Sequence, residues 1–122
     1  MGPDKRGVLR HLAAVLILCV TISAGTAGAA QKVYEGSEAA ALRCANIVAL
    51  TAVALNDAGG IGDLEKEVML GISFMMLEEH VSGTWRQKRL ALEEVRNRRG
   101  IEETLEDFTL LAERCLREFP IN

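Results

Sequence analysis

Two cysteines on the apolar faces of two predicted helices constrain this fold more than any other feature of the sequence. Between residues 101 and 119, apolar residues recur at spacings of three and four, which is the period of one buried helix stripe. This stripe contains Ile101, Leu105, Phe108, Ala112, Cys115, Leu116 and Phe119. An earlier stripe contains Ala40, Cys44, Ile47, Val48, Thr51 and Leu55. Cys44 and Cys115 are therefore both expected to face the core.

We predict a disulfide between Cys44 and Cys115. They are the only cysteines outside the leader described below, and two cysteines in an exported chain most simply pair with each other. The bond would close a loop of about 70 residues, which stabilises a fold by on the order of 4 kcal/mol in the chain-entropy treatment. That is a large share of the net stability of a small domain, about 5–10 kcal/mol. The alternative is two independent buried thiols.

Residues 1–30 have the three parts of a cleavable secretory signal peptide. A basic first region with Lys5, Arg6 and Arg10 precedes an apolar core over residues 12–22, and Ala27-Gly28-Ala29 matches the cleavage pattern. The alternative is an uncleaved membrane anchor, but the apolar run is shorter than the roughly 20 residues that a spanning helix needs. We therefore expect the protein to meet the membrane only transiently, during export.

Removal of the leader leaves one domain, residues 31–122, with an acidic balance. The leader takes three basic residues and one acidic residue, so 11 basic and 16 acidic residues stay, a net charge of −5. This charge argues against a general nucleic-acid binder. The composition is rich in arginine and alanine, which is typical of a GC-rich bacterial source and would make the destination the periplasm.

The sequence predicts an all-α domain, a small four-helix bundle closed by one disulfide. The helices are expected over residues 37–56, 63–82, 85–99 and 101–120, after a short, mobile, polar lead-in over residues 31–36. Ser37 and Asp63 are predicted N-caps, and Thr84 with Gln87 matches the capping-box pattern. The first helix is apolar on all sides, which places it at the centre of the fold. Arg43 and Asn46 within it argue against a membrane span.

The second and third helices have less regular apolar faces. Leu64, Val68, Ile72, Met75 and Leu77 are expected to form one broad apolar face of the second helix. Trp85, Leu92 and Val95 give the third helix a thin stripe, on which core burial is expected for Trp85.

No pattern of an enzyme is present, and we expect the protein to be non-catalytic with no cofactor. Ser73 and Ser82 lack the glycines of a nucleophile elbow, and His80 is the only histidine after the leader. One alternative is a metal or haem carrier. Met69, Met76 and His80 fall within about 40° of one another around the second helix, and thioether and imidazole groups suit Cu(I) or haem iron. Methionines at helical spacing more often fill a core, so packing is the preferred interpretation.

The third helix carries the predicted partner surface. Its basic residues are Arg86, Lys88, Arg89, Arg96, Arg98 and Arg99. The alternative is a solvated face whose last arginines complement the helix dipole. Arginine can bind carboxylate or phosphate through two parallel hydrogen bonds, so this cluster is expected to contact an anionic partner.

The layout resembles small secreted bacterial helical proteins with one cysteine in the first helix and one in the last. Cys44, Cys115 and the segment Ala112-Glu113-Arg114-Cys115-Leu116 carry the resemblance. Periplasmic acid-stress chaperones of the HdeA type are similar in size, helix content and single disulfide, without a shared motif. The resemblance implies binding of a protein partner or client in the periplasm. The alternatives are the metal or ligand carrier and an immunity-type inhibitor of an envelope-targeting toxin.

Overall fold

Four α-helices make up the part of the chain that the computed structural model describes, residues 31–122. They are α1 (Gly36–Asp57), α2 (Asp63–His80), α3 (Trp85–Arg98) and α4 (Ile101–Glu118). No strand occurs within these residues, so the predicted all-α class is confirmed. The predicted signal peptide, residues 1–30, lies outside the described residues.

Helix α1 is the centre of the domain, as its apolar sequence predicts. The helices α2, α3 and α4 all pack against it, α2 most extensively. Its small residues Ala41, Ala45 and Ala52 are fully buried, and they allow the neighbouring backbones to come close. At this approach the hydroxyl of Ser73 in α2 donates a hydrogen bond to the carbonyl oxygen of Ala45, at 2.8 Å.

By length and composition alone, α1 is also the one helix within residues 31–122 that could cross a membrane. However, 56% of its most apolar window is buried inside the domain. Three helices pack around α1 and bury it, which is the environment of a core helix in a globular domain. This environment accounts for the apolar character of α1.

A disulfide joins α1 to α4 and confirms the predicted pairing. The Cα atoms of Cys44 and Cys115 are 5.5 Å apart, within the usual range for a disulfide. Both cysteines are buried in one hydrophobic cluster with residues from all four helices, with Val81 between α2 and α3, and with Phe119 after α4. The cluster contains Ala41, Leu42, Cys44, Ala45, Ile47, Met76, Leu77, Val81, Ala91, Cys115 and Phe119.

Of the three predicted N-caps, only that of α3 is confirmed. The hydroxyl of Thr84 accepts a hydrogen bond from the Gln87 amide, and the Gln87 side chain accepts one from the Thr84 amide. The predictions for the other two helices are wrong, because α1 begins at Gly36 and α2 at Asp63 itself. The Asp63 carboxylate instead accepts a hydrogen bond from the Asn56 amide across the turn, at 3.1 Å.

The lead-in over residues 31–35, which we expected to be mobile, is instead anchored to the connection between α2 and α3. The Tyr34 hydroxyl donates to the Ser82 carbonyl oxygen at 2.7 Å, and the Lys32 ammonium donates to the Ser82 hydroxyl. The Glu38 carboxylate accepts from the same hydroxyl at 2.9 Å. Burial and the Glu38 charge raise the pKa of Tyr34 above its ordinary value of 10.0.

The buried face of α4 is rotated from the predicted stripe. Ile101 and Leu116 are 58% and 44% exposed, whereas Thr104 is fully buried and Leu111 packs against the core. The disulfide explains the rotation, because it directs Cys115 at α1. Leu116 is about 100° further around the helix from Cys115 and therefore lies at the edge of the contact.

Candidate functional site

An apolar stripe lies exposed on the outer face of α2. It consists of Leu64, Val68, Gly71 and Met75, at successive spacings of four, three and four. Residues at these spacings share one side of a helix, and the alternation of four and three is that of a coiled-coil seam. Leu64 is 75% and Val68 56% exposed, so the stripe is unpartnered within the described domain. We call these four residues the α2 stripe.

The α2 stripe corrects the prediction of a single broad apolar face on this helix. Ser73, Met76 and Leu77 form the buried side against α1, whereas Leu64 and Val68 point away from it. Leu64 and Val68 stay exposed because α2 is apolar on two sides and only one of these sides packs against the central helix. The remaining apolar side therefore stays in solvent.

Gly71 lies at the middle of the α2 stripe. A Cβ atom added there would meet no neighbouring atom within 4 Å. Glycine within a helix is unfavourable by roughly 0.5–1 kcal/mol relative to alanine, and no packing contact of the described domain requires it. Its lack of a side chain leaves the α2 backbone open to close approach by another chain.

Two aromatic rings adjoin the α2 stripe. The centroids of Phe74 and Trp85 are 5.0 Å apart, with an interplanar angle of 54°. Both side chains are about half exposed, so the expected core burial of Trp85 is wrong. Phe74 precedes Met75 in the helix, and Trp85 opens α3, so the pair extends the apolar surface toward that helix.

The charged rim of the α2 stripe is acidic. Its exposed carboxylates are those of Glu65, Glu67, Glu78 and Glu79. The only basic side chain of α2 before His80, Lys66, lies 3.7 Å from Asp63 and is largely covered. The rim therefore presents net negative charge on both sides of the apolar residues.

Of the six basic residues predicted to contact a partner, three form ion pairs within the described domain and three do not. Lys88 is 6% exposed and lies 3.6 Å from Glu78, so it belongs to the interior and is not a surface residue. Arg98 pairs with Glu94, and Arg99 pairs with Asp107 in α4. The other three, Arg86, Arg89 and Arg96, are exposed and form no ion pair with any residue in the range 31–122.

The Arg99–Asp107 pair connects the end of α3 to α4. Both guanidinium Nε and Nη2 donate to the carboxylate, the second at 2.8 Å. This hydrogen bonding lowers the pKa of Asp107 below its ordinary value of 3.8 and raises the pKa of Arg99. The pair lines a cleft beside the disulfide, together with Arg43 and Asn46 of α1. Sequence reasoning missed this cleft, although two polar residues in an otherwise apolar helix were a signal for it.

The methionine and histidine residues of the alternative metal site have packing contacts. Met76 is fully buried in the hydrophobic cluster. The Nε2 atom of His80 lies 2.7 Å from the Pro120 carbonyl oxygen, and the ring meets the Phe119 ring at 5.4 Å between centroids. Met69 is partly buried on the same helix. Within residues 31–122, no three His, Cys, Asp or Glu side chains cluster in a way that could hold a metal ion.

No protein family, curated protein or solved structure matches this chain. The resemblance to chaperones of the HdeA type therefore depends on size, helix content and the single disulfide.

Proposed function

We propose that this protein is an exported, non-catalytic binding protein that contacts a protein partner in the cell envelope through the α2 stripe. The observation that carries the proposal is the exposure of Leu64 and Val68 on a helix whose opposite face is already packed. An exposed apolar patch rimmed by charged residues is typical of a protein interaction site. The disulfide supports export, because such bonds persist in oxidising compartments.

The spacing of the α2 stripe favours a helical segment of the partner. Apolar residues at positions i, i+4, i+7 and i+11 form a seam into which a second amphipathic helix can insert its own side chains. The open backbone at Gly71 permits close approach of the two helices. Trp85, half exposed beside Phe74, adds an aromatic anchor of the kind enriched at interface hot spots.

The acidic rim selects the charge of that segment. Lysine or arginine residues beside the apolar face of the partner would complement Glu65 and Glu67 and speed the encounter. A second copy of this chain would bring one acidic rim against another, which is unfavourable. We therefore propose a cationic amphipathic helix of another protein as the occupant.

Two designed peptides test this proposal. Both are amphipathic helices with the same leucine seam, and one has lysine while the other has glutamate beside the seam. We expect the lysine peptide to bind, with an affinity that falls as salt increases. The variant Leu64→Ser/Val68→Ser should lose binding by about tenfold or more, because a buried leucine or valine contributes about 1.5–3 kcal/mol. The matched control is Ile101→Ser/Leu110→Ser, which changes two exposed apolar residues of α4.

The results separate the possible occupants. Binding of the lysine peptide that the Leu64→Ser/Val68→Ser change leaves unaffected would contradict the proposal, and so would binding of the glutamate peptide that this change abolishes. Sedimentation analysis of the protein alone is expected to give a monomer. A dimer that dissociates in the same variant would assign the stripe to a second copy.

The exposed arginines of α3 are a second proposed contact, for an acidic partner segment. Arg86, Arg89 and Arg96 have no ion pair within the described domain, and Trp85 lies at the start of the same helix. In the peptide experiment, Arg86→Glu/Arg89→Glu/Arg96→Glu should leave binding of the lysine peptide unchanged or slightly stronger. If the glutamate peptide binds the wild-type protein and this variant abolishes that binding, the arginine surface is favoured over the α2 stripe as the partner contact.

Export itself is testable on the secreted protein. We propose that the mature N-terminus lies between Ala29 and Lys32, after the Ala27-Gly28-Ala29 pattern. N-terminal sequencing of the exported protein checks this directly. An N-terminus at Met1 or Gly2 would show that the leader is retained.

A further inference from the structure

A cleft of about 680 Å³ lies between the lead-in, the first half of α1 and α3. This volume is within the range of small-ligand sites, about 300–1,000 Å³. Leu42 and Ala91 line the cleft and are only 2% and 7% exposed, so they form an apolar floor. The α2 stripe does not line this cleft, so a ligand here is a property beyond the proposed partner binding.

This cleft shares part of its lining with the smaller cleft beside the disulfide. Arg43, Val95 and Arg99 line both clefts, so these three residues mark the place where the two clefts meet. Arg43 is exposed on α1, and Arg99 directly follows α3. We call these three residues the junction. The junction therefore places two cationic residues at the edge of the larger cleft.

The two arginines of the junction act on one carboxylate. Arg99 donates two hydrogen bonds to Asp107, the second at 2.8 Å. These bonds lower the pKa of Asp107, and the positive charge of Arg43 also lowers this pKa. Glu103 and Glu106 of α4 act on Arg99 through their charges but form no ion pair with it. Arg43 forms no ion pair with any residue in the described range 31–122, so its exposed guanidinium is available to a ligand.

The other charges that line the larger cleft are balanced. Arg98 pairs with Glu94 at 3.2 Å. The Lys32 ammonium donates to the Ser82 hydroxyl, which in turn donates to the Glu38 carboxylate at 2.9 Å. Glu38 therefore balances the charge of Lys32 through one bridging hydroxyl. One excess positive charge, that of the junction, is left in this part of the domain.

We propose that the larger cleft binds an organic monocarboxylate with a hydrocarbon chain. The carboxylate accepts hydrogen bonds from the Arg43 guanidinium, whose planar fork matches its two oxygens. The hydrocarbon chain contacts Leu42, Ala91 and Val95, where it is removed from water. A monoanion balances the excess charge of the junction. A phosphate dianion would instead bring a second negative charge toward Glu94 without a cation to compensate it.

The test uses a matched set of probes on the purified protein with its disulfide intact. The probes are octanoate, octanamide without the charge, acetate without the hydrocarbon chain, and octyl phosphate with a second negative charge. Binding is measured by NMR titration of the backbone amides. We expect octanoate to shift the resonances of the lead-in, the first half of α1 and α3. It should bind about tenfold more tightly than octanamide or acetate, because each of these lacks one of the two contacts.

Variants assign the carboxylate contact to Arg43. Arg43→Gln should weaken octanoate binding about tenfold and remove the advantage of octanoate over octanamide. Arg43→Lys should keep part of that advantage, because the charge is retained. The matched control is Arg117→Gln, which changes an exposed arginine of α4 outside both clefts and should leave the affinity unchanged. Leu64→Ser/Val68→Ser should also leave it unchanged, because these residues lie outside the cleft.

The probe comparison on the wild-type protein does not depend on any variant being folded. The proposal is overturned if octanoate causes no shifts around the cleft, or if octanamide or acetate binds as tightly as octanoate. Tighter binding of octyl phosphate than of octanoate also overturns it, and so does an unchanged octanoate affinity in Arg43→Gln. Octanoate shifts confined to α2 would assign the hydrocarbon chain to the α2 stripe instead. Peptide binding is measured separately, so the two proposals can fail independently.

Discussion

Gly83 connects α2 to α3 with a backbone φ of +95°, which side chains other than that of glycine rarely adopt. A Cβ atom there would lie 2.9 Å from the Tyr34 hydroxyl and 2.7 Å from the Gln87 side-chain oxygen. We expect Gly83→Ala to lower the free energy of unfolding by about 1–2 kcal/mol. Urea unfolding measures the change.

Gly71 is the matched control for that substitution. It has a helical environment and no atom within 4 Å of an added Cβ. Gly71→Ala should therefore raise the free energy of unfolding, by about 0.5–1 kcal/mol. If Gly83→Ala and Gly71→Ala change the free energy of unfolding in the same direction, the backbone strain at Gly83 does not explain the effect of Gly83→Ala.

Asp107 makes stability depend on pH in a predictable direction. The hydrogen bonds from Arg99 hold the pKa of Asp107 below 3.8 in the folded state. A group with a lowered folded pKa stabilises the fold above its unfolded pKa, and that contribution is lost as pH falls through the folded pKa. Asp107→Asn should therefore lower the urea midpoint modestly at neutral pH, and the two proteins should converge as the pH falls well below 3.8.

The matched control for this prediction is Glu113→Gln. Glu113 pairs with Arg117 at 3.4 Å, but both side chains are largely exposed. Such a pair contributes little to the free energy of unfolding. The urea midpoint of the control should therefore match that of the wild type at neutral pH and at acid pH. A constant difference between wild type and Asp107→Asn across the whole pH range would contradict the pairing.

At the scale of the helix, the start of α3 depends on its capping box. Thr84 and Gln87 exchange hydrogen bonds of 3.2 and 2.9 Å, which satisfy two amides that the helix leaves free. Thr84→Ala should lower the free energy of unfolding by about 1 kcal/mol. Thr109→Ala, within the exposed face of α4, should leave it unchanged or slightly raised, because alanine is the better helix former.

A loss of stability in Thr84→Ala has a second expected consequence at this scale. The start of α3 also carries Trp85, whose ring lies tilted against that of Phe74 in α2. Fraying of that first turn should expose the tryptophan further and shift its fluorescence to longer wavelength. Unchanged fluorescence together with unchanged stability would show that the cap does not hold this end of α3.

For the whole molecule, the disulfide is a contribution to stability that can be removed selectively. The cysteines are 71 positions apart in the sequence, so the bond restricts most of the unfolded domain. Cys44→Ala/Cys115→Ala should lose about 4 kcal/mol of unfolding free energy. Reductant should shift the urea midpoint of the wild type toward that of the variant. A wild-type midpoint that does not respond to reductant would contradict this.

The sequence alone was sufficient for the class of the fold, the central position of α1, the disulfide and the capping box of α3. These features depend on local periodicity and on residue types at short spacings, which the physics of a single helix determines. The pairing of Cys44 with Cys115 followed because both lie on apolar stripes and the expected leader leaves no other cysteine. The predicted helix ends differ from the observed ones by one or two residues, chiefly at the C-terminal ends, because the last turn of a helix frays.

Only the tertiary structure decided which side of each helix is buried. The sequence of α2 is apolar on two sides, and the position of α1 buries one and exposes Leu64 and Val68 on the other. Ion pairs such as Lys88–Glu78 and Arg99–Asp107 join different helices, so periodicity within one helix cannot reveal which basic residues are free. Whether the buried Oδ1 atom of Asn46 finds a hydrogen-bond partner likewise depends on what packs around it. Burial and pairing are relations between elements, and they exist only once the chain has packed.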